Sequence, residues 1–219
     1  MVPSKEGLME DVRNKDDADG HVTGRVGIRR FALLAVPGFA ATAALAVALA
    51  NGALAASFAV SGQEFKVSAD ELTGDGFVQY GSFDTNVRDE LLPVAVTGLR
   101  KAEMTNLCQS VVTSLPVVGD ISLKLSAGTG KKKVEATDLM LDATQLAGNA
   151  SFTNIEIGRD ASTLDKGPDG AQGMQDLFSQ QADDIRMTNL RQTAWATTAG
   201  TFKLAGLHMK IHKGRTECF

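Results

Sequence analysis

Only three histidines occur in the 219 residues, and only His208 and His212 lie beyond the N-terminal region. A serine hydrolase needs a nucleophile, a base and an acid that orients the base. The nucleophile-elbow pattern G-x-S-x-G is absent. His208 and His212 carry the i, i+4 spacing of a helical zinc pair, but their neighbours alternate as a strand does. In a strand, four residues span about 13 Å, too far for one ion. Gly128-Thr129-Gly130-Lys131 resembles part of a phosphate-binding loop. That loop's upstream glycine is replaced by Leu125, and Lys132 stands where Ser or Thr is required. Lys131, Lys132 and Lys133 are read instead as a basic hairpin tip, either a solvated turn or a contact for anionic headgroups. Asp84, Asp120, Asp138, Asp142 and Asp160 fall at turn-like positions and define neither a carboxylate pair nor a calcium loop. No catalytic residue, metal site or cofactor is expected.

Cys108 and Cys218 are the only cysteines. In an oxidising compartment such a pair is read as one disulfide, which closes a loop of about 110 residues. That compartment is inferred from the preceding sequence. Phe31–Gln63 carries no charge, and Phe31–Ala50 alone supplies the length of a membrane span. Arg25, Arg29 and Arg30 precede it, so the positive-inside bias puts residues 1–30 in the cytosol and the C-terminal part outside. The expected organisation is a cytosolic tail (1–30), a membrane anchor or signal segment (31–55) and an extracytoplasmic β-rich domain (56–219). Ala48-Leu49-Ala50 and Ala53-Leu54-Ala55 both suit signal peptidase, so cleavage after Ala50 or Ala55 would make the domain a secreted one. The net charge of −4 and the absence of a basic domain exclude a nucleic-acid binder.

Alternating apolar residues dominate the outer region, at Glu64–Ala69, Asp120–Ser126, Lys133–Leu141, Ala150–Ile157 and Thr201–His212. Bulges are expected within the last two, the final one at Gly206. Two segments read as short helices: Ala171–Asp184, where Met174, Leu177, Phe178 and Ala182 recur at helical spacing, and Thr85–Leu92. The fold class is therefore mainly β: an elongated, twisted or partly rolled sheet with one or two short helices, preceded by a single N-terminal membrane helix. A short frame recurs as VSADEL, AEMTNL, VEATDL, IRMTNL and FKLAGL, at Val67–Leu72, Ala102–Leu107, Val134–Leu139, Ile185–Leu190 and Phe202–Leu207. Each copy reads as a strand that ends at a turn and seats a leucine below it.

The run from Arg29 to Gly81, the stretches FTNIEIGRDAS and TAGTFKLAGLHMKI, and Cys218 together resemble a family of uncharacterised actinobacterial envelope proteins. Some members are labelled cholesterol esterases, a label whose motifs this chain lacks. The resemblance implies a cell-envelope location and a small multi-span membrane protein as companion, and it carries over no catalytic residue. The expected function is a non-enzymatic envelope protein that binds lipid or another apolar ligand, or docks on a membrane partner. A lipid-ester hydrolase and an adhesive surface protein are the alternatives.

Overall fold

The computed structural model describes residues 60–219; the expected membrane segment and Arg25, Arg29 and Arg30 lie outside them. Among the described residues no helix is long and apolar enough to cross a membrane. Nine strands follow one another: β1 (Phe65–Thr85), β2 (Leu91–Thr105), β3 (Leu107–Leu115), β4 (Gly119–Ala127), β5 (Val134–Thr153), β6 (Glu156–Asp160), β7 (Phe178–Thr198), β8 (Thr201–Lys203) and β9 (His208–Lys213). Every strand pairing is antiparallel. Strand β1 pairs with β2, β2 with β5, β5 with β7, and β7 returns to β1, so the four long strands close a ring. An extension leaves this ring through β3, which pairs β1 over Phe65–Ser68 and carries β4 and β9 outward, while β6 pairs β7 and β8 pairs β5.

The recurring frame explains how strands of about twenty residues can wrap so small a ring. A regular strand alternates faces with period two. Residues at i, i+2 and i+5 would therefore not share a face. In four copies all three positions nevertheless lie in one buried core: Val67, Ala69 and Leu72; Ala102, Met104 and Leu107; Val134, Ala136 and Leu139; Ile185, Met187 and Leu190. In three of these the fifth residue has positive φ: Asn106 at 50°, Asp138 at 49° and Asn189 at 55°. One left-handed residue reverses the alternation and turns the strand, so the next apolar side chain again faces inward. Asn and Asp tolerate that conformation better than other non-glycine residues. Glu71 is the exception, with no positive φ. In the fifth copy Gly206 is left-handed at 70°, but Leu207 is exposed. The expected strand end is thus a corner in β1, β5 and β7, which continue through it, and a true break between β2 and β3 and between β8 and β9.

Both expected helices are absent. Residues 171–177 form a loop and Phe178 opens β7; Met174 and Phe178, half of the supposed apolar stripe, are exposed. Backbone pairing on both flanks, to β1 and β6, holds residues 178–182 extended. Thr85–Leu92 is the β1–β2 turn, in which Asn86 Oδ1 accepts hydrogen bonds from the backbone of Arg88 (2.8 Å) and Glu90 (3.1 Å). The one helical element among the described residues is a 3-10 turn, Ala161–Thr163, capped by Asp160. Two expected strands are also divided. Asn154, at φ 50°, separates β5 from β6, and a turn around Gly206 separates β8 from β9, in place of the bulges expected there.

A second, smaller core lies on β1 and β2, where Val78, Tyr80, Val94 and Val96 are covered by Ala161, Leu164 and Ala171 of the loop after β6. Gln181 of β7, wholly buried, holds that loop. Its Oε1 accepts from the Asp165 and Lys166 amides at 3.0 and 3.3 Å, while its Nε2 donates to Asp165 and Glu156 at 2.8 and 3.0 Å.

Candidate functional site

The cysteine pair is where the sequence places chemistry most plainly. The structure joins Cys108 of β3 to Cys218, with the two Cα atoms 5.9 Å apart, an ordinary separation for a disulfide. The bond anchors a tail, Gly214–Phe219, that doubles back over one face of β3 and β4. Two buried serines receive it. Ser122 Oγ donates to the Gly214 carbonyl at 2.6 Å and accepts from the Thr216 amide at 2.8 Å, and Ser110 Oγ accepts from the Cys218 amide at 3.0 Å. Lys66 completes the seat by donating to the Phe219 main-chain oxygen at 3.0 Å and pairing with Glu217 at 3.2 Å.

The opposite face of the same extension is apolar and carries no tail. Cross-strand pairing aligns Phe65, Val111, Leu123 and Ile211 in one row, and Val67, Gln109, Leu125 and Met209 in the next. Gln109 interrupts the row of Val67. Phe65 packs against the ring's core, so the row through Val111 and Leu123 carries apolar surface from the interior outward to Ile211 of β9. There Met209 and Ile211 are 61% and 69% exposed. Within the ring the packing is tight. Two apolar cavities of about 20 Å³ each adjoin Leu72, Leu141 and Leu190, room for about one water molecule apiece. Neither of these cavities is large enough for an acyl chain, and the open face is the exposed apolar surface of the extension.

The lysine tip is divided. Lys131 and Lys132 are exposed on the turn between β4 and β5, whereas Lys133 is drawn back to Glu103 at 2.6 Å. That hydrogen bond and the Glu103 charge raise the Lys133 pKa. The turn leads into β5 rather than a helix, so the geometry of a phosphate-binding loop is missing. His208 and His212 stand opposite Ser126 and Ser122 across the β4–β9 ladder. The Ser122 hydroxyl is committed to the tail and fully buried, which removes it as a nucleophile. No group of three or more His, Cys, Asp or Glu side chains able to hold a metal ion occurs among the described residues.

Two aspartates that the sequence leaves among the turn residues lie within strands and are partly buried instead. Asp84 lies in β1 and Asp142 in β5, the latter in a cross-strand row with Tyr80 and Val96. Burial pushes the Asp142 carboxyl up to about 6, and the charge of Asp84 adds to the shift. Burial raises Asp84 as well, and its Oδ2 is buried without a hydrogen-bond partner. Nothing in the local sequence marks either residue, because their burial and mutual influence arise only in the folded sheet. The folded state binds this proton more tightly than the unfolded chain does. The contribution of Asp142 to stability is therefore fully present below about pH 4 and is lost as pH rises from there through about 6. Asp142→Asn should raise stability at about pH 8 by about 1 kcal/mol after solvent screening, and by nothing measurable near about pH 4. Urea unfolding at both pH values checks this; an equal effect at both would show that Asp142 is ionised in the fold.

These features define an all-antiparallel, disulfide-closed β module with one open apolar face and no metal cluster among the described residues. The chain belongs to DUF6230, a family of unknown function, which matches residues 61–219. No curated protein and no solved structure matches it.

Proposed function

We propose that the domain is a non-enzymatic cell-envelope module that holds lipid or docks on a membrane partner along the open face of β3, β4 and β9. The observation that carries this reading is the continuity of that face with the ring's core, ending in exposed Met209 and Ile211. Large contiguous apolar surfaces on soluble domains mark interaction sites. The exposed Lys131 and Lys132 lie on the turn that follows β4, where the anionic headgroup of a lipid held along that face would reach them. The small multi-span membrane protein implied by the sequence resemblance is a second occupant of the same surface. Native mass spectrometry of the full chain, released from mild detergent, is expected to show phospholipid adducts that disappear in Met209→Asp/Ile211→Asp. Adducts insensitive to that change would overturn the site. Ester hydrolysis that is lost with His208→Ala or His212→Ala would overturn the non-enzymatic reading.

A further inference from the structure

Two hairpins flank the place where the chain enters the domain. The Val60 amide donates to the Thr85 carbonyl at 3.1 Å, and Val60 bridges Asn86 at the β1–β2 hairpin. Gln63 Oε1 accepts from Thr113 Oγ1 of β3 at 2.9 Å, next to the β3–β4 hairpin. Three residues span at most roughly 11 Å, so both hairpins lie beside the incoming chain. That chain carries no charge from Phe31 through Gln63.

The second hairpin tip is apolar where turns are ordinarily polar, and the first sets apolar side chains beside Arg88, Asp89 and Glu90. Phe83, Val87 and Leu91 are exposed at the first, and Leu115, Val117 and Val118 at the second. Arg88 and Glu90, charged residues of the first tip, pair with each other at 3.4 Å. Val117 is the sharpest departure from local rules. It is wholly exposed and has φ 72°, a conformation in which a β-branched residue is strained and Gly or Asn is usual. Neither packing nor turn geometry within the domain accounts for valine there. An apolar medium outside the domain does.

From these observations we infer that the two hairpin tips form a seat on the lipid bilayer, with Val117 and Val118 entering the boundary between headgroups and acyl chains. The proposal rests on the membrane location in the reading above and adds an orientation: the end of the domain nearest Gln63 faces the membrane. Side chains inserted in this way gain the burial that the folded domain denies them. The seat lies at the tip of the hairpin, beyond the β9 surface, whose Ile211 pairs Leu123 about 13 Å along β4 from Gly119. From Gly119 to Ser126, which pairs with His208, β4 extends roughly 25 Å. Leu207, also exposed, therefore marks the far end of the same hairpin.

Tryptophan reporters in the full chain, reconstituted in phosphatidylcholine–phosphatidylglycerol vesicles with brominated acyl chains, test the orientation. Native Trp195 is common to all variants and supplies the baseline. Val117→Trp is expected to be quenched several-fold more than Leu207→Trp. A reporter at Leu115→Trp should lose its quenching when Val117→Asp and Val118→Asp are added, while circular dichroism stays unchanged. Stronger quenching at Leu207→Trp would overturn the orientation and leave lipid docking at another surface intact. Absence of quenching at every reporter would overturn the seat and, with no lipid adducts on the full chain, the lipid reading as well. Emission at Val117→Trp that shifts with protein concentration and ignores brominated lipid would assign the tips to a second copy, which also overturns the proposal.

Discussion

Replacing Cys108 and Cys218 together by serine is expected to lower the stability of the domain by about 4–5 kcal/mol, the chain-entropy value for a loop of this length. The separation of 110 residues is what makes the effect large, because an open chain regains the freedom of that whole loop when it unfolds. In a domain of this size the loss corresponds to a fall in Tm of about 10–15 °C. The native state retains most of its contacts, since the tail is also held by Ser110, Ser122 and Lys66. The penalty should therefore come mainly from the unfolded state and raise the m-value of urea unfolding, as a more expanded chain does. The reduced wild-type protein should behave like the double variant. A loss below about 1 kcal/mol would show that residual structure already restricts the unfolded chain without the bond.

Gly76→Ala is the second large effect. Gly76 sits in β1 with φ 69°, and a Cβ there would lie 2.4 Å from the Lys166 carbonyl oxygen and 2.4 Å from Arg100 Nε. The arginine can move aside. Lys166 cannot do so cheaply, because its amide is held by Gln181 and its ammonium by Asp183 at 2.8 Å. Left-handed strain of about 1–2 kcal/mol adds to an overpacking cost of about 1–3 kcal/mol, so a loss of about 3 kcal/mol is expected. Gly130→Ala separates the two contributions, since Gly130 has the same φ of 69° and open space around its Cα. If both variants lose equal stability in urea unfolding, the Lys166 contact costs nothing.

How much of this could be read from residues alone depends on the range over which each feature is decided. The frame V/A/I-x-[AM]-x-x-L is local, and four of its copies line the core. The reason for its spacing in three copies, a left-handed Asn or Asp that reverses the alternation, is hinted at by residue type but emerges only from the backbone. Cys108 and Cys218 were legible because cysteine is so scarce. Ala171–Asp184 misled because Leu177, Phe178 and Ala182 fit a helix, while the pairing of Phe77 with Ala182 and of Asp160 with Phe178 comes from distant chain. Long-range partners override local spacing in the same way for Asp84 and Asp142, two unremarkable turn-type residues until β1, β2 and β5 align. Lys133 looked equivalent to Lys131 and Lys132 until Glu103 of the neighbouring strand claimed it.

The ring has a temporal consequence. Its seam joins β1 to β7, so Phe65 finds Ala194 only after nearly the entire domain has been synthesised. Until then one edge of β1 presents unsatisfied amides and carbonyls and the core stands open, the condition in which strands pair with the wrong chain. Such non-local closure places the domain among slow folders. A polypeptide of this topology has to be kept from its neighbours until its last long strand arrives.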